Sequence, residues 1–256
     1  MLTYDNRLKY FALFLFIKKD TFILPMSIRK QNEIELFYFE DDYRNCDIEK
    51  LNDLYLNDNI DDKKILVFDI DCTLYKKSIR LQAKVGENYR NLLKNKYSVK
   101  NPQKLIDLFR EKYSSRSKGA FDILGLTKEE IIKNVYNIDY NEFLKEANEL
   151  KKFLDSLPYR KVIMTNGMDV HAISVLKTMG IYECFESMFL PNFLGYRNNQ
   201  KKNNENEENL IFINKPLCES YKLIEDVYGV ADKSNIIFFD DQQINIDASI
   251  RRGWSG

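Results

Sequence analysis

"ILVFDIDCTLY", residues 65–75, runs four apolar side chains into two aspartates one residue apart, followed by a threonine. Ile65 to Asp69 reads as a buried parallel strand. Two carboxylates inside such a strand would lose their hydration and repel each other, so Asp69 and Asp71 belong where the strand emerges. In an open α/β sheet that place is the crevice outside the carboxyl ends of the strands, where ligands bind. Something there has to compensate their charge.

Three more short apolar runs read as buried strands: "KVIMTN" (161–166), "SMFLP" (187–191) and "NIIFFD" (235–240). Helical patterns lie between them. "DVHAISVLKTMG" sets Val170, Ile173 and Leu176 on one face, with Gly180 placed as a C-terminal cap. After Pro216, Tyr221, Ile224 and Tyr228 recur at the same period. Strand alternating with helix predicts a doubly wound, Rossmann-like α/β fold with a parallel sheet.

Residues 78–155 break the alternation and read as consecutive helices. Leu81, Val85, Tyr89 and Leu92 share one face, and Leu105, Ile106, Leu108 and Phe109 another. Thr127 and Glu130 form a capping box, and Phe143, Ala147, Leu150 and Leu154 mark a fourth face. An insert at a strand's carboxyl end lies over the crevice, so these residues are expected to form a helical cap. The α/β core is then 61–77 with 156–256, behind an irregular extension over 1–60 that starts at Met1 or at Met26. "RNNQKKNNENEEN" (197–209) is a polar low-complexity run, expected as a disordered surface loop.

Thirty-nine basic and thirty-nine acidic residues cancel, which leaves no global field to gather a nucleic acid polymer or an anionic membrane. Any phosphate site has to be local. Cys46, Cys72, Cys184 and Cys218 follow no metal-binding rhythm and are expected as reduced thiols of a cytoplasmic protein. "YFALFLFI" (10–17) is short for a secretory core and far too short to span a bilayer.

Polar strand ends converge in this arrangement: Asp69 and Asp71, Thr165 and Asn166, Asp240 and Asp241, with Lys215 before a helix. Carboxylates meeting there repel by several kcal/mol unless a divalent cation and a lysine neutralise them. Hard oxygen ligands without a His or Cys cluster favour Mg²⁺. Carboxylates, Mg²⁺, Lys and a hydroxyl together stabilise a transferring phosphoryl group.

"FDIDCTLY", "IMTNG", "NKP" and "FFDDQQIN", in that order, resemble the four motifs of haloacid dehalogenase-like phosphatases. In finer grain the chain is similar to the pyrimidine 5′-nucleotidase branch, through "DIDCTLY" and a following helical insert, Thr165, Asn166, His171 and Ala172 in the second motif, and Asp240, Asp241 and Asn245 in the last. The resemblance covers residues 64 to about 254. It implies that Asp69 attacks phosphorus to form an aspartyl phosphate. Asp71 would act as general acid and then base, with a raised pKa. Thr165 and Lys215 would hold the phosphate, Asn166 would sit among the cofactor-binding residues, and Mg²⁺ would be held by Asp69, the carbonyl of Asp71, Asp240 and Asp241. The expected partner is a small phosphomonoester such as UMP or CMP.

The chain departs from the family at Cys72, where Asn is common, and at Gln242, where Ser is usual. It stops at "RRGWSG", where members continue with another strand, so an exposed sheet edge is expected beside the last strand. The only histidine, His171, is read as structural or as supporting another residue, outside catalysis. Other readings keep the fold and change the role: a phosphatase for a sugar phosphate, or a catalytically silent binding protein. A phospho-accepting receiver module is disfavoured by the helical insert and the DxDxT.

Overall fold

The computed structural model describes residues 28–31, 34–39, 64–191 and 213–256. Six strands form one sheet: β1 (Ile28–Gln31), β2 (Ile34–Phe39), β3 (Ile65–Phe68), β4 (Arg160–Met164), β5 (Ser187–Pro191) and β6 (Ile236–Phe239), in the order β1-β2-β5-β4-β3-β6. Pairing from β2 across to β6 is parallel, and only β1 runs antiparallel to its neighbour. Two of these strands lie within the stretch expected to be irregular. The run "IELFYF" is rich in residues that favour a pleated surface, a six-residue signal inside an Asn- and Asp-rich stretch. The apolar run 10–17, the polar loop 197–209 and Cys46 lie outside the described residues, whereas Cys72, Cys184 and Cys218 are free thiols.

Side chains alternate across the sheet as the pleat requires. Leu66 and Phe68 of β3 join Ile163, Met188 and Leu190 on one face, under Ala172, Val175 and Leu176 of helix α6 (Asp169–Thr178). Ile65 and Val67 join Val162, Met164 and Phe189 on the other, under Tyr221, Leu223, Ile224 and Val227 of α7 (Cys218–Val227) and Ala248 of α8 (Gln243–Arg252). Both faces of the sheet are therefore covered, as in a doubly wound α/β fold. Gly180 ends α6 at φ +68, a left-handed position where a Cβ would be strained.

Between β3 and β4 the chain is helical: α1 (Leu81–Tyr97), α2 (Pro102–Tyr113), α3 (Arg116–Leu124), α4 (Lys128–Asn134) and α5 (Asn148–Ser156). The capping box opens α4, with Thr127 Oγ1 accepting from the amide of Glu130 and the Glu130 carboxylate accepting from the amide of Thr127. A separate apolar centre gathers Val85, Tyr89, Leu93, Phe109, Phe121, Ile131 and Val135. Its closeness is set by Gly119, whose Cβ would stand 2.3 Å from Cγ of Phe109. The border of this cap differs from the sequence-based one, because Tyr140, Leu144 and Leu154 pack into the sheet cluster and not among the cap helices.

Beyond α8 the chain returns to the sheet. Trp254 is buried against Tyr221 and Phe238, and Ser255 adds a parallel bridge to Ile237 by donating its amide to Ile236 and accepting from Phe238. The edge beside β6 is thus partly occupied, while Phe239 is 40% exposed. Glu225 fixes this return, accepting from the indole of Trp254 at 2.9 Å and from Arg252, with Lys233 at 3.0 Å.

Burial opposes ionisation of Glu225, but Arg252, Lys233 and Trp254 outweigh it and hold its pKa below the ordinary glutamate value of 4.5. A depressed folded-state pKa contributes stability that is present above 4.5 and lost as pH falls through the folded value. Glu225→Gln is expected to lower stability by about 1–3 kcal/mol at neutral pH. Urea melts from pH 7 to pH 3 check this, since the gap between parent and variant should narrow below the ordinary glutamate range. A constant gap counts against the ion-pair account.

Candidate active site

Asp69 leaves the end of β3 and is fixed there by its amide, which donates to the carbonyl of Phe239 at 2.9 Å. Lys215, 1% exposed, reaches it from the segment before α7 and places Nζ 2.7 Å from Asp69 Oδ1 and 2.6 Å from Asp240 Oδ2. A buried ammonium needs such partners, and each of these buried carboxylates needs a cation. Asn166 locks the lysine backbone. Its amide nitrogen donates to the carbonyl of Lys215, and its carbonyl oxygen accepts from the amide of Lys215, both at 2.9 Å. The residue expected to bind a cofactor thus holds the lysine in place.

Asp240 accepts from the backbone of Gln242 at 2.8 Å and from Asn245 at 3.0 Å. Carboxylate oxygens of Asp69, Asp240 and Asp241 lie within 4.8 Å of one another. One lysine offsets one of these three charges, and the hard oxygen donors that remain suit Mg²⁺. Thr165 is buried at the end of β4. Its hydroxyl oxygen accepts from Gly167 at 3.0 Å, which leaves the hydroxyl proton free to donate. An open cavity of about 370 Å³ runs beside Cys72, Thr73, Asp240 and Asp241.

Asp71 has a different environment. Oδ1 accepts from Tyr75 at 2.5 Å and lies 3.0 Å from His171 Nε2. His171 is buried in the first turns of α6, its Nδ1 2.9 Å from the Tyr140 hydroxyl and its Nε2 3.3 Å from the Gln82 amide. The sequence reading kept His171 out of the chemistry and overlooked Tyr75 and Gln82, yet all three fix the orientation of Asp71.

Electrostatics reverse the expected order of ionisation of the two aspartates. Burial pushes Asp69 up to about 7, with Asp240 and Asp71 adding to the effect and Lys215 opposing it. Burial also opposes ionisation of Asp71, but the His171 charge and the hydrogen bonds from His171, Tyr75 and Gln82 bring it down to about 2. The raised acid foreseen at Asp71 is therefore a carboxylate in this arrangement. Asp69 is the group that needs further positive charge to ionise, which the cluster with Asp240 and Asp241 is placed to hold.

The sheet order and the carboxylates at the strand ends define a doubly wound α/β protein with an acidic, lysine-bridged crevice. No family model matches the chain. The chain is similar to Phosphate metabolism protein 8 of Saccharomyces cerevisiae, at 24% identity over 208 residues, covering 75% of this chain and 60% of that protein. Among solved structures it is similar to the L-2-haloacid dehalogenase of Xanthobacter autotrophicus, at 17% identity with 75% of each chain covered and a TM-score of 0.44. A HAD-family enzyme of Bacteroides thetaiotaomicron, in complex with magnesium and inorganic phosphate, gives 20% identity, coverage of 75% and 92%, and a TM-score of 0.41.

The turn that follows Asp71 holds Cys72 at φ 65, in the left-handed region. Asn tolerates that conformation better than other side chains with a Cβ, which gives the family's Asn a physical reason. Cys72→Asn is expected to raise stability by about 0.5–1 kcal/mol. Urea denaturation measures it, and an unchanged or lower midpoint would show that the thiol's packing outweighs the backbone strain.

Proposed function

We propose that the chain is a Mg²⁺-dependent phosphomonoesterase acting through an aspartyl phosphate, with the pyrimidine nucleoside 5′-monophosphates UMP and CMP as substrates. One observation carries the chemistry: Lys215 bound to both Asp69 and Asp240, with Asp241 completing a carboxylate cluster at the strand ends. The nucleotide assignment is supported by the branch-level segments around Asp71, His171 and Asn245.

In this reading Asp69 attacks phosphorus as the ester bond to the leaving group breaks. Its Oδ2, whose contact to Thr73 is a long 3.4 Å, is the freer oxygen for attack. Lys215 and the hydroxyl of Thr165 hold the phosphoryl oxygens. Asp69, Asp240, Asp241 and the carbonyl of Asp71 would hold Mg²⁺, which supplies positive charge for ionising the nucleophile and for the transferring group. The departing oxygen takes a proton from the Asp71–His171 pair, and Asp71 then removes a proton from the water that hydrolyses the aspartyl phosphate. That pairing reconciles a depressed Asp71 with acid catalysis, because the proton can reside on either partner of a 3.0 Å contact.

Phosphate release from UMP, CMP and a panel of sugar phosphates, with Mg²⁺ or with chelator, tests this. UMP or CMP should be hydrolysed fastest, and chelation or Asp69→Asn should lower the rate at least about a thousandfold. Sugar phosphates hydrolysed faster than either nucleotide would remove the nucleotide claim. No release from any compound would favour a binding role.

His171→Leu leaves Asp71 without its ring partner and is expected to lower kcat by about 10²-fold. The loss should be greater for an alkyl phosphate than for p-nitrophenyl phosphate, whose leaving group needs little protonation. Equal losses on both would reduce His171 to a packing role.

A further inference from the structure

Arg116 opens α3 inside the cap, directly after the N-cap Ser115. Nothing acidic stands in that first turn, so the guanidinium sits at the positive end of a helix, where a cation is disfavoured. Among the described residues it has no carboxylate partner. Its contacts are a hydrogen bond donated to Gln82 Oε1 at 2.5 Å and the ring of Tyr89 at 5.6 Å. More positive charge lies close by. A Cβ built on Gly86 would stand 3.5 Å from Nη1 of Arg116 and 3.6 Å from Nη1 of Arg90, so both guanidinium groups flank that glycine. Burial, Arg116 and Arg90 all depress the pKa of Arg110, whose nearest carboxylate, Asp107, is 4.0 Å away. In a chain of zero net charge, Arg90 and Arg110 have gathered around the half-buried Arg116, which no acid balances among the described residues.

The position of that charge gives it a role. Gln82 joins it to the proton-transfer pair: the guanidinium is 2.5 Å from Gln82, Gln82 is 3.3 Å from His171, and His171 is 3.0 Å from Asp71. In the phosphomonoesterase reading Asp71 serves the departing oxygen, and Arg116 is linked to Asp71 from the cap side through Gln82 and His171. Arg116 lies over a buried ring whose hydroxyl is itself tied to Ser117 at 2.6 Å, and its other anchor is the Gln82 side chain.

We propose that Arg116 is the residue through which the cap recognises the leaving group, donating to an oxygen acceptor carried on the part of the substrate that departs. The substrate class is then a phosphomonoester whose leaving group bears a carbonyl or carboxylate oxygen. A pyrimidine, with its ring carbonyl, belongs to that class, whereas a bare alkyl or phenyl ester does not. The inference rests on the phosphomonoesterase reading and not on the nucleotide assignment.

The test compares kcat/KM of the parent, Arg116→Ala and Arg116→Lys on UMP, phosphoglycolate and phenyl phosphate in Mg²⁺. Arg116→Ala is expected to reduce kcat/KM for the acceptor-bearing substrates at least about tenfold more than for phenyl phosphate, mainly through KM. Arg116→Lys should recover more on the carboxylate than on the carbonyl, since it keeps the charge but loses the fork. Phenyl phosphate also reports a folding defect, which would depress all three substrates alike. Equal losses across the panel, or none, overturn the inference. A selective loss on phosphoglycolate, with UMP a poor substrate throughout, keeps the inference and overturns the nucleotide reading. If nothing is turned over, calorimetry on Asp69→Asn with UMP and with inorganic phosphate decides. UMP binding that Arg116→Ala weakens more than phosphate binding supports the inference, and equal weakening or no binding of UMP overturns it.

Discussion

The ammonium of Lys215 is the constraint on which the rest of the site depends. It is 1% exposed and bridges Asp69 and Asp240, which arrive from β3 and β6, strands adjacent in the sheet but distant in the chain. Removing the cation from such a pair strands two carboxylates in an apolar setting, where breaking a buried pair costs about 3–5 kcal/mol. The surrounding backbone is organised to prevent this. Asn166 grips the lysine by both its amide and its carbonyl, and Asn245 holds the far carboxylate. Polar groups at the carboxyl ends of three strands thus form one network around the lysine.

Much of this was legible in the sequence, and the reason is electrostatic. Aspartates at the tips of apolar runs have few stable places in a folded chain, so Asp69, Asp71, Asp240 and Asp241 disclose the crevice, and Thr165 and Lys215 follow from the need to hold an anion there. The alternation of short strands and helices disclosed the doubly wound core in the same way. His171 was less readable. Its partners Gln82 and Asp71 stand 89 and 100 residues away in the chain, and nothing in its own helix pattern distinguishes a ring that packs from a ring that supports a carboxylate. The ionisation of Asp71 was misread for the same reason, since its depression comes from Tyr75, Gln82 and His171 acting together. The grip of Asn166 on the Lys215 backbone depends on hydrogen-bond geometry that residue type and spacing do not disclose.

The packing partners of the cap's flanking residues were hidden for a different reason. Periodicity finds helices but does not say which centre each one serves, and Tyr140, Leu144 and Leu154 have the same amphipathic signature whether they face the sheet or the other cap helices. Strand β2 was missed because six residues rich in β-formers fall below what a scan for alternation resolves in a polar setting.

The supports of Asp71 come from two bodies. His171 belongs to α6 on the sheet, while Gln82 extends from α1 of the cap, and further ties cross the same seam where Lys128 meets Asp169 and where Met168 is buried among the cap's apolar residues. Any parting of the two bodies takes Gln82 away from the imidazole and leaves His171 and Tyr75 as the remaining hold on the carboxylate. The orientation of Asp71 is therefore not fixed by one body alone: it is shared across the seam where cap and sheet meet.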